Sequence, residues 1–187
     1  MPRQIPISFE FFPTKTEEGT QKLLQVHQRL AILNPAYFSV TYGAGGSTRE
    51  RTLSIVDQIQ QAAPIAVAPH LSCIGDNKSE IAELLHRYKN QGIKHLVALR
   101  GDLPSGQMGL GELPYARDLV EFVRQETGDH FHIEVAAYPE MHPQSYDFDG
   151  DVKNFIAKVN AGANSAITQF FFNADAYFYF VEKVRKA

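Results

Sequence analysis

Ile65-Ala-Val-Ala68 is a continuous run of small and β-branched apolar residues, and Ile133-Glu-Val-Ala-Ala137 has nearly the same character later in the chain. A strand that is buried on only one face alternates apolar and polar residues. These two runs show little alternation, which is typical of strands in a parallel sheet that is covered on both faces. The sequence therefore predicts a parallel sheet with helices packed against it.

Four more apolar runs of the same kind lie before, between and after these two along the chain. The six predicted strands begin roughly 30 residues apart, about the length of one βα unit, and they cover residues 7–12, 37–42, 65–73, 95–100, 131–138 and 166–172. The intervening segments have helical spacing: Leu23, Val26, Leu30 and Leu33 are three or four residues apart and share one helix face. The pattern predicts six βα units in one α/β domain over residues 1–187.

Two architectures accommodate successive βα units: a (β/α)₈ TIM barrel and an open doubly wound sheet. A barrel takes its site residues from the ends of many strands, whereas an open sheet concentrates them at one switch point. Polar residues stand within or just after nearly every predicted strand: Glu10, Thr41, His70, Arg100, Asp102, Tyr138, His142 and Gln169. Gly43-Ala-Gly-Gly46 lacks the full GxGxxG pattern of a phosphate loop. The sequence therefore favours the barrel, and because such barrels typically need about 250 residues, we expect a truncated chain whose C-terminal units are missing.

Composition excludes several classes of protein. The 18 basic and 21 acidic residues give a formal net charge of −3 without a basic stripe, which argues against nucleic-acid binding. No run approaches the roughly 18 apolar residues of a membrane span, and residues 1–7 lack the apolar segment of a signal peptide. Cys73 is the only cysteine, so no intramolecular disulfide can form. These features predict a cytoplasmic protein.

Two segments carry the most suggestive chemistry. Glu10 lies within Phe9-Glu-Phe-Phe-Pro13, and an apolar surrounding would raise its pKa and make it a proton donor; the alternative is a strand-end acid paired with an arginine. In Leu99-Arg-Gly-Asp-Leu-Pro104, Gly101 allows the backbone to approach a ligand closely, and Arg100 and Asp102 project from the turn. The alternative for this segment is an ordinary turn with a surface ion pair.

A metal site is a competing hypothesis. Glu10, His70, Asp102 and His142 are ligand types that zinc accepts, although no HxH or HExxH pair fixes two ligands close together. A metal-dependent barrel hydrolase or lyase therefore remains open at this point.

Six segments together resemble a known family. They are Phe9-Glu-Phe-Phe-Pro13, Ser39-Val-Thr-Tyr-Gly-Ala44, Ala68-Pro-His-Leu-Ser-Cys73, Leu99-Arg-Gly-Asp-Leu-Pro104, Ala137-Tyr-Pro-Glu-Met-His-Pro143 and Ala161-Gly-Ala-Asn-Ser-Ala-Ile-Thr-Gln-Phe-Phe-Phe172. In this order and at these spacings they resemble the bacterial methylenetetrahydrofolate reductases, from Ile7 to the C-terminus. The resemblance implies an FAD-binding TIM barrel in which NADH or NADPH reduces the flavin, and the flavin then reduces methylenetetrahydrofolate to methyltetrahydrofolate for methionine biosynthesis. It also implies a homo-oligomer. A flavin- or folate-binding fragment without turnover is the remaining alternative.

The resemblance also implies roles for individual residues. Glu10 matches the family's general acid, Asp102 an acid near the flavin and pterin rings, and Gln169 an amide that binds the pterin. The positions implied to contact FAD are Thr41, His70, Leu99, Arg100, Gly101, Asp102, Tyr115, Ala116, Tyr138, His142, Asp151, Asn154 and Lys158. The last three are expected at the start of the fifth helix, with Lys158 one to two turns in, where a helix N-terminus would favour a phosphate.

Overall fold

The computed structural model describes residues 5–42, 46–102 and 111–187, and for residues 46–48 only the backbone. Gly43, Ala44 and Gly45 of the candidate phosphate loop, and Leu103 and Pro104 of the turn after the fourth strand, lie outside the described residues. Strands and helices alternate throughout: β1 (Ser8–Phe11), α1 (Glu17–Ala31), β2 (Tyr37–Val40), α2 (Gly46–Ala62), β3 (Ala66–Ser72), α3 (Lys78–Asn90), β4 (His95–Leu99), α4 (Ala116–Thr127), β5 (His132–Ala137), α5 (Phe148–Asn160), β6 (Ser165–Thr168) and α6 (Ala174–Lys186). None of the helices formed by these residues is long and apolar enough to cross a membrane.

The strand order decides between the two predicted architectures. The six strands form one sheet in the order β1-β2-β3-β4-β5-β6, and each pairs in parallel with its sequence neighbours. A doubly wound sheet would reverse its order at a switch point, and this sheet does not. The prediction of a (β/α)₈ barrel with six units in this chain is confirmed.

The sixth strand is shorter than its sequence predicts. Residues 166–172 were expected to be extended, but β6 ends at Thr168. The backbone N–H of Gln169 still donates to Ala137 O at 2.7 Å, and the backbone N–H groups of Phe172 and Asn173 donate instead to the side chain of Glu140. The aromatic run after Thr168 therefore leaves the sheet and forms the loop before α6.

Strand register assigns each side chain of β1 to a face of the sheet. Glu10 pairs with Ser39, which pairs with Ala68, so the side chains of Glu10 and Ser39 share one face. The neighbours of Glu10 point the other way: the rings of Phe9 and Phe11 stack on Phe38 with centroids 6.0 and 5.6 Å apart. The phenylalanines thus pack between the sheet and its helices, while Glu10 faces the inside of the barrel.

A buried polar cluster lies inside the sheet near its amino-terminal edge. The Glu134 carboxylate accepts hydrogen bonds from Tyr37 Oη at 2.8 Å and from Ser165 Oγ at 3.2 Å. The Nε2 atom of His132 lies 2.7 Å from Ser165 Oγ. Because both carboxylate oxygens have partners, the cluster ties β2, β5 and β6 together without leaving a buried charge unpaired.

His27 of α1 is fully buried under the sheet, and its ring lies 4.4 Å from the ring of Phe38. Neither ring nitrogen has a hydrogen-bond partner among the described residues. Burial lowers the pKa of His27 below its usual 6.5, since the charged form would be desolvated without compensation. This side chain therefore costs stability even when it is neutral.

We expect the substitution His27→Leu to raise the free energy of unfolding by about 1 kcal/mol or more at pH 7, because it removes an unpaired buried polar ring. In the parent chain, the free energy of unfolding does not depend on His27 protonation well above pH 6.5. It falls as the pH drops below 6.5, because His27 then binds a proton in the unfolded chain but not in the folded chain. The His27→Leu variant should have a flatter profile, with a residual slope from His95, whose pKa is also lowered by burial. Urea unfolding between roughly pH 5.5 and 7.5 measures both effects.

The control is His86→Ala, at an exposed histidine near Glu126, and this substitution should change the free energy of unfolding little. A His27→Leu variant that is no more stable than the parent at pH 7 would contradict the argument.

Candidate active site

A cavity of about 510 Å³ opens beyond the carboxyl ends of β4 and β5. Its wall combines the ends of these strands, the loops that follow them, and parts of α4 and α5. Eleven of the thirteen residues expected at the cofactor line it: Leu99, Arg100, Gly101, Asp102, Tyr115, Ala116, Tyr138, His142, Asp151, Asn154 and Lys158. Thr41 and His70 do not line this cavity. The carboxyl-terminal face of the sheet is where barrel enzymes hold their ligands.

The turn after β4 packs its backbone tightly against the end of β3. Gly101 has a φ of +85°, and a Cβ atom built on it would lie 2.0 Å from Ser72 Oγ. Ser72 Oγ in turn donates to Arg100 O at 2.9 Å. The Arg100 guanidinium donates to Gln144 Oε1 at 2.6 Å, and among the described residues no ion pair within 4.0 Å joins it to Asp102. The expected close backbone approach at Gly101 is present, and its partner is β3.

The loop after β5 is anchored by the buried carboxylate of Asp151, which lies in the first turn of α5. Asp151 accepts hydrogen bonds from the backbone N–H of His142 at 2.9 Å and from Ser145 Oγ at 3.1 Å. The ring of His142 packs edge-on against Tyr138 with centroids 4.5 Å apart. Asp151 therefore fixes the backbone at His142, whose ring packs against Tyr138 in the cavity wall. Burial, followed by the nearby carboxylates of Asp151 and Asp102, raises the pKa of Tyr138.

Lys158 does not lie one to two turns into α5, as the sequence analysis predicted. It lies in the last turn of the helix, so the expectation of a phosphate site made by a helix N-terminus and this lysine is wrong. Its Nζ atom donates to Ala136 O at 2.5 Å and lies 5.5 Å from the ring centroid of Phe155. No carboxylate lies within 4.0 Å of it among the described residues. Burial lowers the pKa of Lys158 to about 8, so an anion in the cavity would complete its environment.

Glu10 and His70 meet on the inner face of the sheet. Glu10 Oε2 lies 3.2 Å from His70 Nε2, and Ser39 Oγ donates to the same carboxylate oxygen at 3.4 Å. His70 is about nine-tenths buried and Glu10 about half exposed. The contact with His70 lowers the pKa of Glu10 more than burial raises it, so the expectation that surrounding phenylalanines raise this pKa is wrong. Phe9 and Phe11 face away from the carboxylate, and no arginine pairs with it among the described residues.

Register connects this pair to the cavity. His70 pairs with Val97, and Ser72 pairs with the cavity residue Leu99, so His70 and Leu99 lie on the same face of adjacent strands. Asp102 lies in the cavity wall with an exposed side chain. Gln169 follows the last residue of β6, also with an exposed side chain. Asp102 and Gln169 thus follow the carboxyl ends of β4 and β6, and the Glu10–His70 pair lies on the inner face of the same sheet.

The residues proposed as metal ligands do not assemble. Among the described residues, no group of three or more histidine, cysteine, aspartate or glutamate side chains could hold a metal ion. His70 contacts Glu10, whereas His142 Nδ1 accepts from the backbone N–H of Gln144 at 3.0 Å. The described geometry gives no support to the metal-dependent hydrolase.

Several cavity residues were not identified from the sequence. Arg117 of α4 lines the cavity with Gln144 and Ser145, and its guanidinium lies 5.2 Å from the ring centroid of Tyr115. Gln144 and Ser145 come directly after the Ala137-Tyr-Pro-Glu-Met-His-Pro143 segment, so extending that segment by two residues would have found them. Arg117 comes directly after the Tyr115-Ala116 pair, which is a comparable signal.

Comparison with known proteins gives a consistent answer. The model of the family described as methylenetetrahydrofolate reductase matches residues 2–187. The chain is 47% identical to the 5,10-methylenetetrahydrofolate reductases of Salmonella typhimurium and of Escherichia coli K12, over 180 residues that make up 96% of this chain and 60% of each relative. The chain therefore spans about 60% of the length of these relatives. Among solved structures, phosphonopyruvate hydrolase in complex with oxalate and Mg²⁺ matches with a TM-score of 0.69 at 12% identity, covering 96% of this chain and 63% of that chain; at such low identity the likeness shows the fold alone.

Proposed function

The chain belongs to the methylenetetrahydrofolate reductase family, and from this premise we propose that it is the FAD-binding barrel domain of an enzyme that reduces 5,10-methylenetetrahydrofolate to 5-methyltetrahydrofolate with NADH or NADPH. The observation that carries the proposal is the cavity beyond β4 and β5, where the residues expected at the cofactor converge. The product would serve methionine biosynthesis in the cytoplasm.

The chemistry of the cavity fits a flavin nucleotide. Arg100, Arg117 and Lys158 bring positive charge to the wall, and Lys158 has no carboxylate partner among the described residues. Lys158 is partly buried, and a cation withdrawn from water is normally paired, so a phosphate oxygen is a suitable ligand for it. Tyr115 and Tyr138 add aromatic surface next to these cations, as a ring-bearing ligand requires.

When bound, the flavin would supply the hydride that passes from NADH or NADPH to the folate, and the protein contributes placement and charge around it. Glu10 would donate a proton to the folate nitrogen that leaves as the five-membered ring opens. The Asp102 carboxylate would stabilise the resulting cation on the folate, and the Gln169 amide would bind the pterin edge. The position of Asp102 in the cavity wall and of Gln169 just after β6, both at the carboxyl end of the sheet, supports these roles.

The lowered pKa of Glu10 limits how this side chain can act as an acid. The contact with His70 holds its pKa low while nearly half of the side chain is exposed. A folate ring lying over Glu10 would exclude water, and desolvation favours the neutral acid. We therefore propose that substrate binding, rather than the neighbouring phenylalanines, makes Glu10 a proton donor.

An absorption spectrum of the purified protein tests the cofactor, and anaerobic mixing tests the reaction. We expect the visible bands of an oxidised flavin, their loss on addition of NADH or NADPH, and their return on addition of methylenetetrahydrofolate. The substitution Lys158→Met should weaken flavin binding by about 10- to 100-fold, because it removes a charged hydrogen-bond donor from the cavity. Lys153→Met, on the same helix but outside this cavity, is the matched control and should not.

Other outcomes of the same experiment contradict the proposal. A stoichiometric metal without flavin would support the hydrolase or lyase instead. Bound flavin that neither reductant bleaches would identify a binding fragment without turnover.

A further inference from the structure

Glu140 lies in the loop between β5 and α5, and its carboxylate reaches the loop before α6. Glu140 Oε1 accepts hydrogen bonds from the backbone N–H of Phe172 at 3.1 Å and of Asn173 at 2.8 Å. Asn173 is the N-cap residue of α6 and Phe172 precedes it, so both amides lie just before the first helical turn, whose unpaired backbone N–H groups favour a negative charge. The side chain thus joins two neighbouring loops at the carboxyl end of the sheet.

The segment that Glu140 holds contains Gln169. At its start, the backbone N–H of Gln169 donates to Ala137 O at 2.7 Å; at its end, Phe172 and Asn173 donate to Glu140. Residues 169–173 are therefore clamped at both ends to residues 137–140. We call this arrangement the Glu140 clamp.

Side-chain packing fixes the segment 169–173 only in part. Phe170 and Phe172 are 75% and 89% exposed, so neither side chain anchors the loop in the core. Phe171 stacks on Tyr177 with centroids 5.2 Å apart, which ties the middle of the loop to α6 but not to the cavity wall. Of the described contacts, the Glu140 clamp is what connects the segment to the loop that carries Tyr138 and His142.

The loop on the other side of the clamp is firmly placed. Met141 has a φ of +72°, its backbone N–H donates to Tyr138 O at 3.1 Å, and His142 is fixed by Asp151. Glu140 thus projects from a well-anchored turn, so the position of its carboxylate defines where the segment after β6 lies.

We propose that Glu140 is a positioning residue, which sets the place of the Gln169 amide relative to the Tyr138–His142 wall of the cavity and so aligns bound folate with the flavin. The inference rests on the proposed function and goes beyond it by assigning a role to a residue outside the lining of the cavity. Loss of Glu140 should therefore weaken the use of methylenetetrahydrofolate while leaving flavin affinity and flavin reduction by NADH unchanged.

The test compares Glu140→Ala and Glu140→Gln with the parent protein. In Glu140→Ala, hydrogen exchange at the amides of Phe172 and Asn173 should accelerate by about tenfold or more, since both charged acceptor contacts are lost. The KM for methylenetetrahydrofolate should rise by about tenfold, while flavin affinity and the rate of flavin reduction by NADH stay within about twofold. Glu140→Gln keeps an acceptor oxygen and should recover part of both losses.

Asn173→Ala is the matched control. The Asn173 side chain caps α6 through the backbone N–H groups of Asp175 and Ala176, at 2.9 and 3.3 Å, and takes no part in the clamp. The control should speed exchange at those two amides and leave the folate KM within about twofold. If it raises the folate KM as much as Glu140→Ala does, general fraying of α6 explains the effect and the proposal is wrong.

Two other results would overturn the proposal: unchanged exchange at Phe172 and Asn173 in Glu140→Ala, or an equal loss of flavin and folate affinity. Exchange is measured without any ligand. A parent protein that binds no flavin would therefore count against the proposed function, while the exchange result would still decide whether the Glu140 clamp exists.

Discussion

The substitution Glu10→Gln should lower the rate of folate reduction by about 10²- to 10⁴-fold, the range that general acid catalysis contributes. Gln has nearly the same shape and retains an oxygen that can accept from Ser39 Oγ, but it has no proton of suitable acidity to give. Reduction of the flavin by NADH or NADPH requires no such proton and should stay within about twofold of the parent rate. Stopped-flow measurement of the two half-reactions separates these effects.

Glu18→Gln is the control for this change, because Glu18 lies on the exposed surface of α1 in an ion pair with Lys22. It should alter neither half-reaction. Equal losses in both half-reactions of Glu10→Gln would remove Glu10 from the acid role and make it a structural partner of His70.

The substitution Gly101→Ala should destabilise the fold and the cavity together. At a φ of +85°, an alanine costs about 1–2 kcal/mol in backbone strain. Its Cβ atom would also meet Ser72 Oγ at 2.0 Å and Ile74 Cγ2 at 2.9 Å, and overpacking of this kind costs about 1–3 kcal/mol. We therefore expect the free energy of unfolding to fall by roughly 2–5 kcal/mol in urea titrations, together with weaker flavin binding in a fluorescence titration.

Gly128→Ala is the control that separates backbone strain from the steric overlap with Ser72 and Ile74. Gly128 also has a positive φ, of +59°, but a Cβ atom there would have no neighbour within 4 Å. Its cost should be limited to the backbone strain of an alanine at φ +59° and ψ −134°, about 1–3 kcal/mol, without a change in flavin affinity. If Gly101→Ala is no more harmful than Gly128→Ala, the contact between the turn and β3 does not shape the cavity.

The fold was predictable because its signals are local. The apolar runs around Ile65 and Ile133 identify strands without reference to distant residues, and polar residues that follow such runs must gather at one end of a parallel sheet. Tyr138 and Asp102, from different units, line the same cavity for this reason. Their roles toward flavin and folate remain predictions.

What the sequence did not reveal depends on pairing between distant segments. Glu10 and His70 are brought together by the register of three strands, and that register decides the direction of the Glu10 pKa. Strand alternation alone could have shown that Phe9 and Phe11 point away from Glu10. Lys158 was misplaced along its helix because the start of α5, marked by the N-cap Asp147, was not located.

The consecutive strand order has a consequence for biosynthesis. Because every strand lies beside the strand that precedes it in the sequence, a nascent polypeptide can add one βα unit at a time to an already formed edge as it leaves the ribosome. All five strand pairings from β1 to β6 join sequence neighbours, so pairing of the first strands need not await synthesis of the sixth.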